Sequence, residues 1–124
     1  MEEFEIKKVV MVFVVLSVLL ASTLGFCMTI GVNAYIDTDL KTGYRYYITY
    51  TDSFYKGARL NSIMVFMEVR DRDDKIVKFK GGNSVSFHHF PDGSWHYGAG
   101  KEVKTGTLAY KILRYSLEVL GERY

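Results

Sequence analysis

Residues Val9 to Val32 form a single apolar run of 24 residues with no charged side chain. As one α-helix the run would rise about 36 Å, enough to cross a hydrocarbon core of about 30 Å. Lys7 and Lys8 precede it, and Asp37 and Asp39 follow it. The run therefore predicts a transmembrane helix that divides the chain into a leader (1–8), a signal-anchor helix (9–32) and a domain (33–124). The lipid bilayer is the first partner this implies.

A cleaved signal peptide competes with an uncleaved anchor. Signal peptides pair a basic leader with an apolar stretch of about 7–15 residues and a small-residue cleavage site. Val32-Asn33-Ala34 would tolerate cleavage after Ala34, but a 24-residue run is long for that purpose. The length favours retention. Positive charge sits on the N-terminal side, so the expected orientation has a cytoplasmic N-terminus and the domain outside. The protein is thus expected in the cell membrane as a single-pass chain.

The run also carries a stripe. Ser17, Ala21, Gly25 and Thr29 recur every four residues and would line one face of a helix. Small residues at that spacing let two membrane helices approach closely. The stripe predicts self-association or docking to a partner membrane protein, although small residues are also common in membrane helices without a partner.

The remaining 92 residues suffice for one core and no more. They hold 14 Lys/Arg against 11 Asp/Glu, interspersed rather than blocked. Without a basic patch, nucleic acid is not an expected partner. The one cysteine, Cys27, lies in the apolar run, so no disulfide framework or cysteine metal cluster is expected in the domain. Phe26 before it does not fit a lipoprotein box.

Alternation predicts strands at Tyr44–Thr51, Asn61–Arg70, Lys75–Lys80, Ser84–Phe90 and Trp95–Gly98. Asp52–Arg59 reads as a loop, Asp71–Asp74 as a turn joining a hairpin, and Gly81-Gly82-Asn83 as a second turn. Phe90-Pro91-Asp92-Gly93-Ser94 is the strongest hairpin signal, with Pro presetting the first turn position and Gly supplying positive φ. Thr107 to Leu120 fits a helical stripe of Leu108, Ile112, Tyr115 and Val119, joined by Leu113 and Leu120. Thr105 or Thr107 would cap its start and Gly121 its end. The same stretch also alternates from Leu113 to Val119 as a strand would. The expected fold is α+β: a transmembrane helix, then a small antiparallel β-meander with a C-terminal helix. An immunoglobulin-like sandwich is the alternative if the last element is a strand.

Few constellations carry chemistry. A three-residue loop at Pro91-Asp92-Gly93 would set His88 opposite His96 on the solvent face and His89 opposite Trp95. Such a cross-strand His pair could bind zinc, copper or nickel, but two ligands are few, and exposed imidazoles are the commoner case. Asp71, Asp73 and Asp74 lack calcium-loop spacing, with Ile76 where a Gly is needed. Ten tyrosines could form a face that stacks on sugars or grips a protein, or simply fill half-buried strand positions. No phosphate loop, nucleophile elbow or metalloprotease motif occurs. No catalytic residue and no cofactor is expected. The expected role is a membrane-anchored binding or assembly module. A metal-binding protein or enzyme centred on His88 and His96, or a pilin-like filament subunit, are the alternatives.

Overall fold

The computed structural model describes residues 25–124. Six strands form one antiparallel sheet whose spatial order follows the chain: β1 (Phe26–Thr38), β2 (Arg45–Lys56), β3 (Arg59–Arg70), β4 (Ser84–His89), β5 (Trp95–Tyr97) and β6 (Lys101–Glu102). One helix, α1 (Leu108–Leu120), packs against one face. This is the meander with a C-terminal helix. The sandwich alternative is excluded, because all six strands belong to one sheet.

The last part of the apolar run, Phe26–Val32, is not helical. Phe26–Val32 lies in β1, paired to β2 from Phe26↔Tyr55 to Gly31↔Tyr50. The physical reason lies in the alternation hidden in the run. Ile30, Val32 and Ile36 are half-buried, whereas Gly31, Asn33 and Tyr35 are exposed, the period of a strand with one covered face. The sheet thus includes Phe26–Val32, seven residues ahead of the expected boundary at 33. The other part of the expected span, 9–24, lies outside the described residues. Among the described residues no helix is long and apolar enough to cross a membrane.

Two further expectations are corrected. Residues 52–59 are not a loop: β2 runs on to Lys56, and Gly57-Ala58 makes a two-residue turn into β3, with Lys56↔Arg59 as the last pair. Lys75–Lys80 is not a strand. Only Ile76 bridges, to Arg70, and β3 pairs instead with β4. Asn83 holds this segment by its side chain, accepting from Phe79 N (2.9 Å) and donating to Val77 O (2.7 Å). A side-chain amide satisfies backbone groups that a ladder would otherwise need.

The core lies between the sheet and α1. Ile48, Ile63, Val65, Phe87 and Trp95 meet Ile112, Leu113 and Leu117, with Leu60 and Val103 closing the ends. Ser116 is buried on this face and donates its hydroxyl to Ile112 O (2.8 Å), so burial leaves no orphan donor. Bulges adjust β2 to the core: after Ile48 the register skips Thr49, and Thr51 and Ser53 become the buried residues.

The helix ends as its sequence dictates. The Thr107 hydroxyl accepts from Tyr110 N (3.2 Å), and Gly121 takes a left-handed conformation (φ 73°) that an L side chain would strain. Gly121 N and Glu122 N then reach Glu118 O and Leu117 O, the paired bonds of a Schellman cap. Thr107→Ala is expected to cost about 1 kcal/mol, read as a lower urea midpoint with an unchanged slope.

Lys111 Nζ donates to Asp37 Oδ2 (2.7 Å) and ties α1 to β1. This bond, with a second from the Thr38 backbone, lowers the Asp37 carboxyl below its ordinary value. A depressed carboxylate stabilises the fold above the unfolded value of about 3.9 and loses that contribution as pH falls through the folded value. Asp37→Asn should therefore lower the urea midpoint at pH 7, and the gap to wild type should close as the pH drops below about 4. A gap that persists at lower pH would refute the ionic origin.

Candidate binding face

Strand alternation and register define the sheet face that α1 does not cover. One row crosses all six strands: Cys27, Phe54, Ser62, His88, His96 and Glu102. The next holds Thr29, Asp52, Met64 and Ser86, and the third Gly31, Tyr50, Phe66 and Ser84. Tyr35 and Tyr47 follow, with Glu68 beside Tyr47. The face is thus divided. Its β1–β3 half is aromatic and apolar, and its β4–β6 half carries hydroxyls, imidazoles and a carboxylate.

The aromatic half is pre-ordered. Tyr50 and Phe66 stack with centroids 4.2 Å apart and planes within 14°. Tyr35 meets Tyr47 edge to face at 5.6 Å. Such pairs fix ring positions before any partner arrives. Tyr35 is nonetheless 54% exposed and Tyr50 39%. Gly31 sits opposite Tyr50, and a side chain there would meet open space.

Polar groups frame this half. Thr29 Oγ1 donates to Asp52 Oδ1 (2.5 Å). At the far end Arg70 forks onto Glu68 (Nε–Oε2 3.0 Å, Nη2–Oε1 3.3 Å), and Arg45 reaches Asp74 and the Asp71 carbonyl. The bond to Glu68 raises the Arg70 guanidinium and that to Asp74 the Arg45 guanidinium, so both remain cationic at the rim.

The histidines fall where the turn places them. Phe90 N donates to Ser94 O (2.8 Å) and Gly93 N to Phe90 O (3.0 Å), closing a three-residue loop. His88 then pairs with His96, and His89 with Trp95. His89 is structural: its Nδ1 lies 2.9 Å from Leu60 O, and its ring stacks on the Trp95 indole at 4.4 Å. The His96 ring stacks on Phe90 at 3.8 Å, and its Nδ1 has no hydrogen-bond partner among the described residues. Asp92 turns to Ser94, accepting from its N (2.9 Å) and Oγ (2.6 Å), and the hydroxyl bond leads in lowering its carboxyl. Glu102 of β6, which the sequence leaves without a partner, flanks His96. Among the described residues no group of three His, Cys, Asp or Glu side chains is placed to hold a metal ion.

Of the small-residue stripe, Ser17 and Ala21 lie outside the described residues. Gly25 precedes β1, and Thr29 sits within it, bonded to Asp52, so these two do not continue a helical face. Cys27 is an exposed strand residue, not a helix residue. Sequence reading missed the Tyr50–Phe66 pair. Its signal was present in Met64 and Phe66 alternating with Ile63 and Val65, which gives one strand two apolar faces. Comparison with protein-family models, curated proteins and solved structures finds no match to this chain.

Proposed function

We propose that the chain is an exported protein whose domain works outside the cytoplasm as a binding or assembly module, gripping a protein partner through its aromatic sheet face. The apolar run beginning at Val9 directs it to the membrane, and the Lys7-Lys8 pair keeps the N-terminus inside. The observation that carries the reading is the one-sided cover of the sheet. α1 shields one face, while the other holds the ordered pairs Tyr35–Tyr47 and Tyr50–Phe66, with Phe54 and Met64 on the same face, within an arginine-bearing rim. Aromatic residues, Met and Arg are the types enriched where proteins meet.

A protein suits this face better than a glycan. Tyr50 and Phe66 cover each other's inner ring faces, and their neighbours Gly31, Met64, Ser84 and Ser86 include no carboxylate or amide to fix sugar hydroxyls. Asp52, at the next position of β2 on this face, gives one of its two oxygens to Thr29.

The test is a paired purification in mild detergent from the native cell, with wild type and a Tyr50→Ser/Phe66→Ser variant. A stoichiometric protein partner bound to wild type and lost at least tenfold in the variant is the expected result. Unchanged co-purification, or no partner with either chain, would sink the reading. Thermal unfolding of the variant checks that its domain still melts cooperatively, and Met64→Ser serves as a milder substitution on the same face.

A further inference from the structure

We infer that the chain carries a processing site at the Gly25–Phe26 peptide bond, cut by a membrane leader peptidase that selects small side chains at the first and third positions before the bond. The inference rests on the export reading above and deepens it.

Three observations converge. The first is where the fold begins. Phe26 is the first paired residue of β1, opposite Tyr55, and its ring stacks on the Tyr55 ring at 4.7 Å with planes within 4°. From Phe26 to Thr38 the chain belongs to the sheet.

The second is the sequence before that point. With Phe26–Val32 claimed by β1, the run left for the membrane is Val9–Leu24, 16 residues, or about 24 Å as a helix against a core of about 30 Å. Its uninterrupted large apolar part is shorter still, broken by Ala21-Ser22-Thr23. A basic pair, a short apolar stretch and then small residues is the pattern of a leader rather than an anchor. Thr23 and Gly25 supply the two small side chains at the spacing such peptidases read.

The third is the exclusion of the competing site. Cleavage after Ala34 would cut inside β1, where Ala34 pairs with Ile48. It would remove Val32, which packs against the core, and the half-buried Ile30, and strip the partner of β2 from Tyr50 to Tyr55. The mature fold requires those residues.

In the reaction water adds across the amide. The hydroxyl goes to the Gly25 carbonyl, which leaves as a carboxylate on the 25-residue leader. The proton goes to the Phe26 nitrogen, which becomes the new α-amino terminus.

The experiment is intact-mass measurement with N-terminal sequencing of the full chain expressed in its native cell, alongside Thr23→Tyr. The expected wild-type product starts at Phe26, and Thr23→Tyr should accumulate as uncut chain in the membrane fraction. The described strand pairs begin at Phe26, so the substitution changes none of their residues. A wild-type chain that keeps Met1, or one that starts at Tyr35, overturns the site. A chain found uncut in the cytoplasm overturns the export reading as well, whereas an uncut chain in the membrane overturns only the cleavage.

Discussion

A chain that stops at Gly106 is expected not to fold. Removing α1 would leave Ile48, Ile63, Val65 and Phe87 facing water on a sheet that has no second cover among the described residues. Each large apolar side chain so exposed forfeits about 1.5–3 kcal/mol, and these four alone would match the 5–15 kcal/mol that keeps a typical domain folded. Circular dichroism and thermal melts of the truncated chain should show no cooperative transition. A melting curve like that of the full chain would mean that α1 is dispensable and that the core has been placed on the wrong side of the sheet.

Phe87→Ala should produce the largest single-residue loss, about 3–5 kcal/mol. Phe87 is fully buried, is paired to Ile63 on one side and Tyr97 on the other, and joins the long strands to the short ones. Alanine leaves a cavity that the flanking strands cannot close without breaking their ladders. In a domain of this size the melting temperature should fall on the order of 20 °C. Phe54→Ala, on the uncovered face, removes less buried contact and should cost much less. Equal losses at the two positions would contradict the assignment of faces.

The parts of the fold that were readable from sequence are those specified by local chemistry. Phe90-Pro91-Asp92-Gly93-Ser94 determined its own loop length, and with it the opposition of His88 to His96. Thr107 and Gly121 bracket the helix because a hydroxyl and a positive φ are needed at those points. What was unreadable depends on distant partners. Ile30 and Val32 have the same side chains whether they face lipid or a protein core. Only pairing with β2 reveals them as strand. Val77 and Phe79 alternate like strand residues, yet the edge of β3 is taken by Ser84–His89 and Asn83 satisfies their backbone instead. The aromatic face was half legible: the residue types were visible, but the bulge at Thr49 decides that Tyr50 rather than Thr51 points away from the core.

Strand order that follows chain order has a consequence for timing. Each strand finds its partner in the segment made just before it, so the ladder can close by short searches, and low contact order favours fast pairing. The exception is the helix. Lys111 reaches back to Asp37 across 74 residues, and the covering layer follows all six strands in the chain. The sheet therefore gains its stabilising cover only once Leu108–Leu120 is available. Until then Ile48, Ile63, Val65 and Phe87 have no cover, and the final step of folding waits for α1.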